Sequence, residues 1–137
     1  MALLSHSGSR GLGAAIAKHY SLLAREVCRL PREAQHFAWL DLNTEEGQEY
    51  WMSMNLAGDY ARACHERIHL NLAKALGLKP LANVNNHHNF AWKEEIIPGR
   101  ISIVHRKGAT PAQKGQAGLI PGSMATPGYL GCGKGGE

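Results

Sequence analysis

An α+β architecture is predicted by a change of hydrophobic period along the chain. Apolar residues recur every three or four positions in two stretches before Gly77, and the pattern turns to strands from Lys79 onward. These observations predict two main helices, over about 12–28 and 45–77, followed by a strand-rich C-terminal half. A length of 137 residues suits one domain with a modest core. The composition, 44% hydrophobic and 19% charged, is that of a folded soluble protein. No apolar run approaches the roughly 20 residues a membrane-spanning helix needs, so no membrane partner is expected. Met1-Ala2-Leu3-Leu4 is too short for a signal peptide and lacks a basic leader, which makes a cytoplasmic location the expectation. Cys28, Cys64 and Cys132 are odd in number, widely spaced and outside any CxxC pattern. That indicates neither a disulfide framework nor a thiolate zinc site and predicts buried thiols. A net charge of +4, with eight histidines uncounted, favours anionic partners such as nucleotides or RNA.

In chain order, Ser5 to Gly13 (SHSGSRGLG) reads as a strand end entering a glycine-rich turn, and the first helix follows with Ile16, Tyr20, Leu23 and Val27 on one face. Such a turn before a helix offers free amide hydrogens and a favourable dipole for phosphate, with Arg10 as a bidentate contact; a plain tight turn is the alternative. Leu30 to Asp41 is a connector whose apolar knot, Phe37, Trp39 and Leu40, is expected to pack onto the helices. Asn43 or Thr44 can cap the second helix, with Glu45 and Glu46 in its first turn where the macrodipole favours negative charge. Its stripe of Tyr50, Met54, Ala57, Ala61, Cys64, Ile68, Leu72 and Ala75 reads as core, and Gly77 with Pro80 ends it. Strands are expected over Leu81–Trp92 and Arg100–Val104, and a short one over 119–124 ends in a turn. The glycine-rich tail from Gly131 reads as a linker.

The chemistry concentrates between Val84 and Gly108. His87 and His88 are flanked by Asn85, Asn86 and Asn89, and His105-Arg106-Lys107 follows after the turn signal Pro98-Gly99. On a strand, adjacent side chains face opposite ways. His88 would then share a face with Asn86 and Phe90, and His87 with Asn85 and Asn89, unless the strand bulges. A pair of ordinary hydrogen-bonded histidines is the plain alternative. His65 and His69, in HERIH, have the spacing of zinc proteases, but Arg67 interrupts the motif and no third ligand is identified, so a solvated helix face competes with that reading.

Four segments, HSGSRGLG at positions 6–13, NHHN at 86–89, HRKGAT at 105–110 and KGQAGLIPGSM at 114–124, together resemble the RtcB family of RNA-splicing and RNA-repair ligases. EEGQEYWMSMNLAGDYA at 45–61 is similar to that family's long helix, so the resemblance runs over nearly the whole chain. It implies a GTP-dependent ligase with two manganese ions. Such an enzyme joins an RNA 3′-phosphate or 2′,3′-cyclic phosphate to a 5′-hydroxyl, as in tRNA splicing or RNA repair, through a guanylylated histidine. On that pattern His6 and His88 bind one metal ion, and His88, Asn89, Pro121, Gly122, Ser123 and Met124 form the nucleotide side of the site. Arg106 and Lys107 are further candidate phosphate or RNA contacts.

The pattern is incomplete in this chain. The family's Asp, shared Cys and further His ligands would precede Met1, and its guanylylated His would lie beyond Glu137. The chain is therefore read as an internal, partial RtcB-type ligase domain, 1–137, carrying no catalytic nucleophile and inactive alone. MATPG at 124–128 also departs from the family's more usual MGT-x-S. The expected partners are RNA and GTP, with room for an accessory activator protein. Two other classes compete: a non-enzymatic nucleotide- or RNA-binding module, and a His-metal hydrolase built on His65, His69 and one of His87 or His88.

Overall fold

The computed structural model describes residues 2–6 and 11–136, and its contacts divide the chain into two compact units, Ser5–Ile68 and Met1–Leu4 with His69–Glu137. The element order is α+β, as the periodicity predicts. Residues 2–6 form no strand, and positions 7–10 of the glycine-rich turn, with the Arg10 phosphate contact, lie outside the described residues.

In the unit 5–68, α1 spans Leu12–Cys28. Its first amides, of Ala14 and Ala15, donate to the Gly11 carbonyl, and Arg29 closes it in the left-handed conformation with φ 47°. Ile16, Tyr20 and Leu23 are half-buried and Ala24 is buried, whereas Val27, at the end of the predicted stripe, is exposed. The connector contains a 3-10 turn over Arg32–Phe37, and its apolar knot does not form: Phe37 is 70% and Trp39 61% exposed. The Cys28 thiol ties it down instead, donating from Sγ to the Trp39 carbonyl (3.0 Å) and accepting from the Trp39 amide (3.3 Å). Trp39 is thus held by its backbone, and its indole is left in solvent. None of the three cysteines is fully buried, and Cys132 is exposed, contrary to the sequence expectation.

The helix α2, Glu45–Ala75, starts where the capping signals place it. Thr44 Oγ1 accepts from the Gly47 amide at 3.3 Å, and Asp41 Oδ1 accepts from the Asn43 amide at 2.9 Å. A Cβ on Gly47 would strike the Asp41 carbonyl, so a side chain there is incompatible with this close return of the chain. Tyr20 and Tyr50 meet with ring centroids 5.1 Å apart, and burial pushes the Tyr50 hydroxyl pKa up. The stripe from Tyr50 to Ile68 is half-buried, but Leu72 and Ala75 are exposed. The division between the units falls within α2, after Ile68.

In the second unit, Gly77 (φ 63°) follows the end of α2, and the Leu78 amide donates to the Ala73 carbonyl at 2.8 Å. Strands β1 (Asn89–Ile97) and β2 (Arg100–Lys107) form an antiparallel hairpin through Pro98-Gly99, and β3 (Ala117–Ile120) pairs antiparallel with β4 (Tyr129–Cys132). Proline pre-sets its own φ and Gly99 takes φ 77°, the order a tight turn requires. The strand expected from Leu81 begins only at Asn89. The register explains this: Asn89 pairs with Lys107, the last residue of β2. One further bond, from the Gly108 amide to the His88 carbonyl (2.7 Å), precedes the departure of Gly108 at φ 70°, so residues before His88 have no ladder left to join.

The tail is a built element and not a linker. β4 is followed by Gly133, whose amide donates to the Gln116 carbonyl (2.8 Å) and whose carbonyl accepts from the Gly115 amide (2.9 Å); the Gly135 amide donates to the Ala112 carbonyl (3.2 Å). A Cβ on Gly133 would collide with the backbone of Ala112 and Gln113, whereas one on Gly131 would meet nothing within 4 Å. Glycine therefore serves close backbone approach at 133 and no comparable need at 131. We expect Gly133→Ala to cost about 1–3 kcal/mol of unfolding free energy in the full chain, and Gly131→Ala to fall within about 0.5 kcal/mol of the native value. Denaturant unfolding of both variants, followed by circular dichroism, checks the contrast.

Candidate functional site

Cross-strand partners share a face of a hairpin, and alternate residues of one strand share it too. The register therefore puts Phe90, Trp92 and Glu94 on one face with Ser102, Val104 and Arg106. All six are half-buried. Arg106 lies opposite Phe90, yet its guanidinium reaches along the row to Glu94, with Nη1 donating to Oε1 at 2.6 Å and Nη2 to Oε2 at 2.7 Å. On the way it passes 5.2 Å from the Trp92 ring centroid, and Phe90 meets Trp92 edge-on at 5.3 Å. The two side chains of the ion pair are only 23% and 18% exposed, which makes this a fixed contact with bidentate geometry. An open cleft of about 380 Å³ beside it is lined by Arg106, Thr110, Ala112, Gln113, Gly135 and Gly136.

The other face carries Asn89, Ala91, Lys93 and Glu95 with Ile101, Ile103, His105 and Lys107. There His105 Nε2 donates to Asn89 Oδ1 at 3.2 Å, diagonally across the ladder, and Lys107 lies directly opposite Asn89. The HRKG cluster that reads as one basic patch is thus split: Arg106 is committed to Glu94 and Trp92, while His105 and Lys107 stand with Asn89. Extending the period-two rule past Val104 to Lys107 would have separated them in the sequence.

His87 and His88 precede the strand, with a bend at His88, so strict alternation does not hold for them. The His87 ring stacks on Phe90 at 4.8 Å and 20°, on the side where alternation would have put His88. Asn86 is bound through Nδ2 to the Ala117 carbonyl at 3.2 Å, which ties this segment to the first residue of β3. Its Oδ1 is buried without a partner among the described residues.

The strand β3 leads into the Pro121–Met124 turn. Gly122 takes φ 65°, and a Cβ there would collide with the Thr126 and Pro127 carbonyls. The Ser123 and Thr126 amides donate to each other's carbonyls, and Ser123 Oγ accepts from the Ala125 amide. Among the described residues the Gly122 and Met124 amides donate to nothing. His6 belongs to the unit 5–68 and His88 to the other. On α2, the Nε2 atom of half-buried His65 has no partner among the described residues. No three His, Cys, Asp or Glu side chains among the described residues gather as metal ligands, including any trio with His65 and His69. No helix described is long and apolar enough to cross a membrane.

Comparison with known proteins identifies the family. The family model described as tRNA-splicing ligase RtcB matches residues 1–137, and the chain belongs to the RtcB family. It is 30% identical over 149 residues to the RNA-splicing ligase RtcB of Escherichia coli K12, covering 98% of this chain and 36% of that protein. It is 30% identical over 158 residues to the tRNA-splicing ligase RtcB of Methanococcus maripaludis, covering 93% and 32%, and 33% identical over 158 residues to that of Methanocaldococcus jannaschii, covering 93% and 16%. The chain thus spans about a third or less of the length of these relatives. No solved structure matches it significantly.

Hydrogen bonding to Arg106 holds the Glu94 carboxyl below its ordinary value of 4.5. A carboxylate favoured in the folded state stabilises fully above its unfolded pKa, and that contribution is lost as pH falls through the lowered folded value. Glu94→Gln should therefore lower the melting temperature by a few degrees at pH 7, and the gap to the native chain should close as the pH drops below 4.5. Thermal scans from pH 7 to pH 3 read both.

Proposed function

We propose that this chain supplies part of the guanylate- and manganese-binding site of an RtcB-type RNA ligase. Such a ligase joins RNA 3′-phosphate or 2′,3′-cyclic phosphate ends to 5′-hydroxyl ends through a guanylylated histidine. The observation that carries the reading is that Asn89, His105 and Lys107 share the exposed face of the hairpin immediately after His88. The Asn89 amide and the Lys107 ammonium in that row offer hydrogen-bond donors and positive charge, which suit the oxygens of a phosphate, and His105 holds the amide oxygen. Lys107, not Arg106, is the phosphate or RNA contact of the HRKG stretch, because Arg106 is spent on Glu94.

The nucleotide side is completed in this reading by the Pro121–Met124 turn, where the Gly122 and Met124 amides remain available and the Ser123 amide is used within the turn. His6 and His88 are the metal ligands of this chain. Neutral imidazole suits manganese, and the unmet Asn86 Oδ1, two residues before His88, shows a further acceptor in the same segment. Each imidazole supplies one ligand, in keeping with coordination completed by the remainder of a longer ligase. When bound, the metal would neutralise charge on the phosphates. The protein's own groups bind and orient: Asn89 and the turn hold the guanylate, and Lys107 holds an RNA or nucleotide phosphate.

Isothermal titration of the full chain tests this. GTP should bind more tightly than ATP, more tightly with manganese than without, and roughly tenfold or more weakly to Lys107→Ala, as loss of a charge-assisted contact predicts. Equal binding of GTP and ATP, indifferent to manganese and to Lys107→Ala, would overturn the reading.

A further inference from the structure

We propose that His105 is a positioning residue for Asn89, fixing which end of the amide faces a bound guanylate. The proposal rests on the reading above and deepens it.

An asparagine amide presents an acceptor on one side and two donors on the other, and a half-turn about its last bond exchanges them at little intrinsic cost. A phosphate or other anionic oxygen only accepts, so Asn89 is useful to it in one of the two orientations. Asn89 is exposed, and packing alone does not choose between them. Two neighbours on its face compete to do so. Lys107, directly opposite in the register and in no ion pair among the described residues, would draw the amide oxygen toward its ammonium. That orientation would occupy the cation with the protein's own oxygen. His105, on the diagonal, instead donates from Nε2 to Oδ1 at 3.2 Å. With the oxygen held there, Nδ2 keeps both its hydrogens for the ligand and Lys107 stays available.

The hairpin fixes His105 for this task. Its neighbour Arg106 is anchored on the opposite face by Glu94, which pins the backbone on either side of the turn, and Ala91 opposite His105 is too small to deflect the ring. A side chain that can still donate from about that reach, glutamine, should substitute in part. One that cannot, alanine, should not.

The test is ¹⁵N-resolved NMR on the full chain with GMP as the probe. In the native chain the His105 ring should carry its proton on Nε2, and GMP should shift the Asn89 side-chain amide pair. His105→Ala should move that amide pair before any ligand is added, leave the backbone amides of both strands in place, and weaken GMP by about fivefold, as loss of one neutral hydrogen bond predicts. His105→Gln should recover most of that loss. GMP binding native and His105→Ala chains equally, with the Asn89 amide unmoved, would overturn the positioning role while leaving the guanylate site standing. GMP that shifts nothing in the native chain would overturn the guanylate reading and the ligand assigned to Asn89 with it.

Discussion

The contact on which the second unit depends is the reach of Arg106 across Trp92 to Glu94. A two-stranded ribbon is marginal by itself, because each strand has one neighbour and no further layer enforces the register. A guanidinium lying over an aromatic ring and closed by a bidentate carboxylate supplies that enforcement with three side chains of one face. The consequence is felt on the opposite face. Because the side-chain period is two, a slip of one residue would turn one strand over relative to the other, dividing Asn89 from His105 and Lys107 and splitting Arg106 from Trp92 and Glu94.

The remaining site elements hang from this hairpin by short backbone and amide links. The bond from the Gly108 amide to the His88 carbonyl extends the ladder by one rung, and Asn86 carries the same segment to the Ala117 carbonyl at the start of β3. The strand β3 then delivers the Pro121–Met124 turn, and Gly133 closes the far side by approaching Ala112 and Gln113 more closely than any side chain would permit. His88 with Asn89 and the 121–124 turn therefore belong to one hydrogen-bonded assembly. In the function proposed above they form two walls of one nucleotide site.

Much of this was legible in the sequence wherever a local rule decides the structure. The capping residues before Glu45, the 3.6-residue stripes as far as Leu23 and Ile68, and the Pro98-Gly99 turn all act over a few positions and appear where they were read. What was illegible depends on partners distant in the chain. Residues 81–88 have strand-like composition but no strand opposite them, and Phe37 and Trp39 are apolar but receive no cover. The glycines from 131 onward read as flexible, yet Gly133 is required by two carbonyls twenty positions earlier. In the site, the residue types at His88, Asn89 and Lys107 could be picked out one by one. Their division between faces could not, because it turns on where β2 ends and on which strand residue Arg106 chooses as its partner.

The register of the hairpin decides which residues share the exposed face, and nuclear Overhauser contacts across it measure that register. In the full chain, this register predicts backbone contacts between Asn89 and Lys107, Ala91 and His105, and Lys93 and Ile103. It also predicts side-chain contacts from Arg106 to the Trp92 ring. Contacts shifted by one residue, pairing Asn89 with Arg106 and Phe90 with His105, would contradict it.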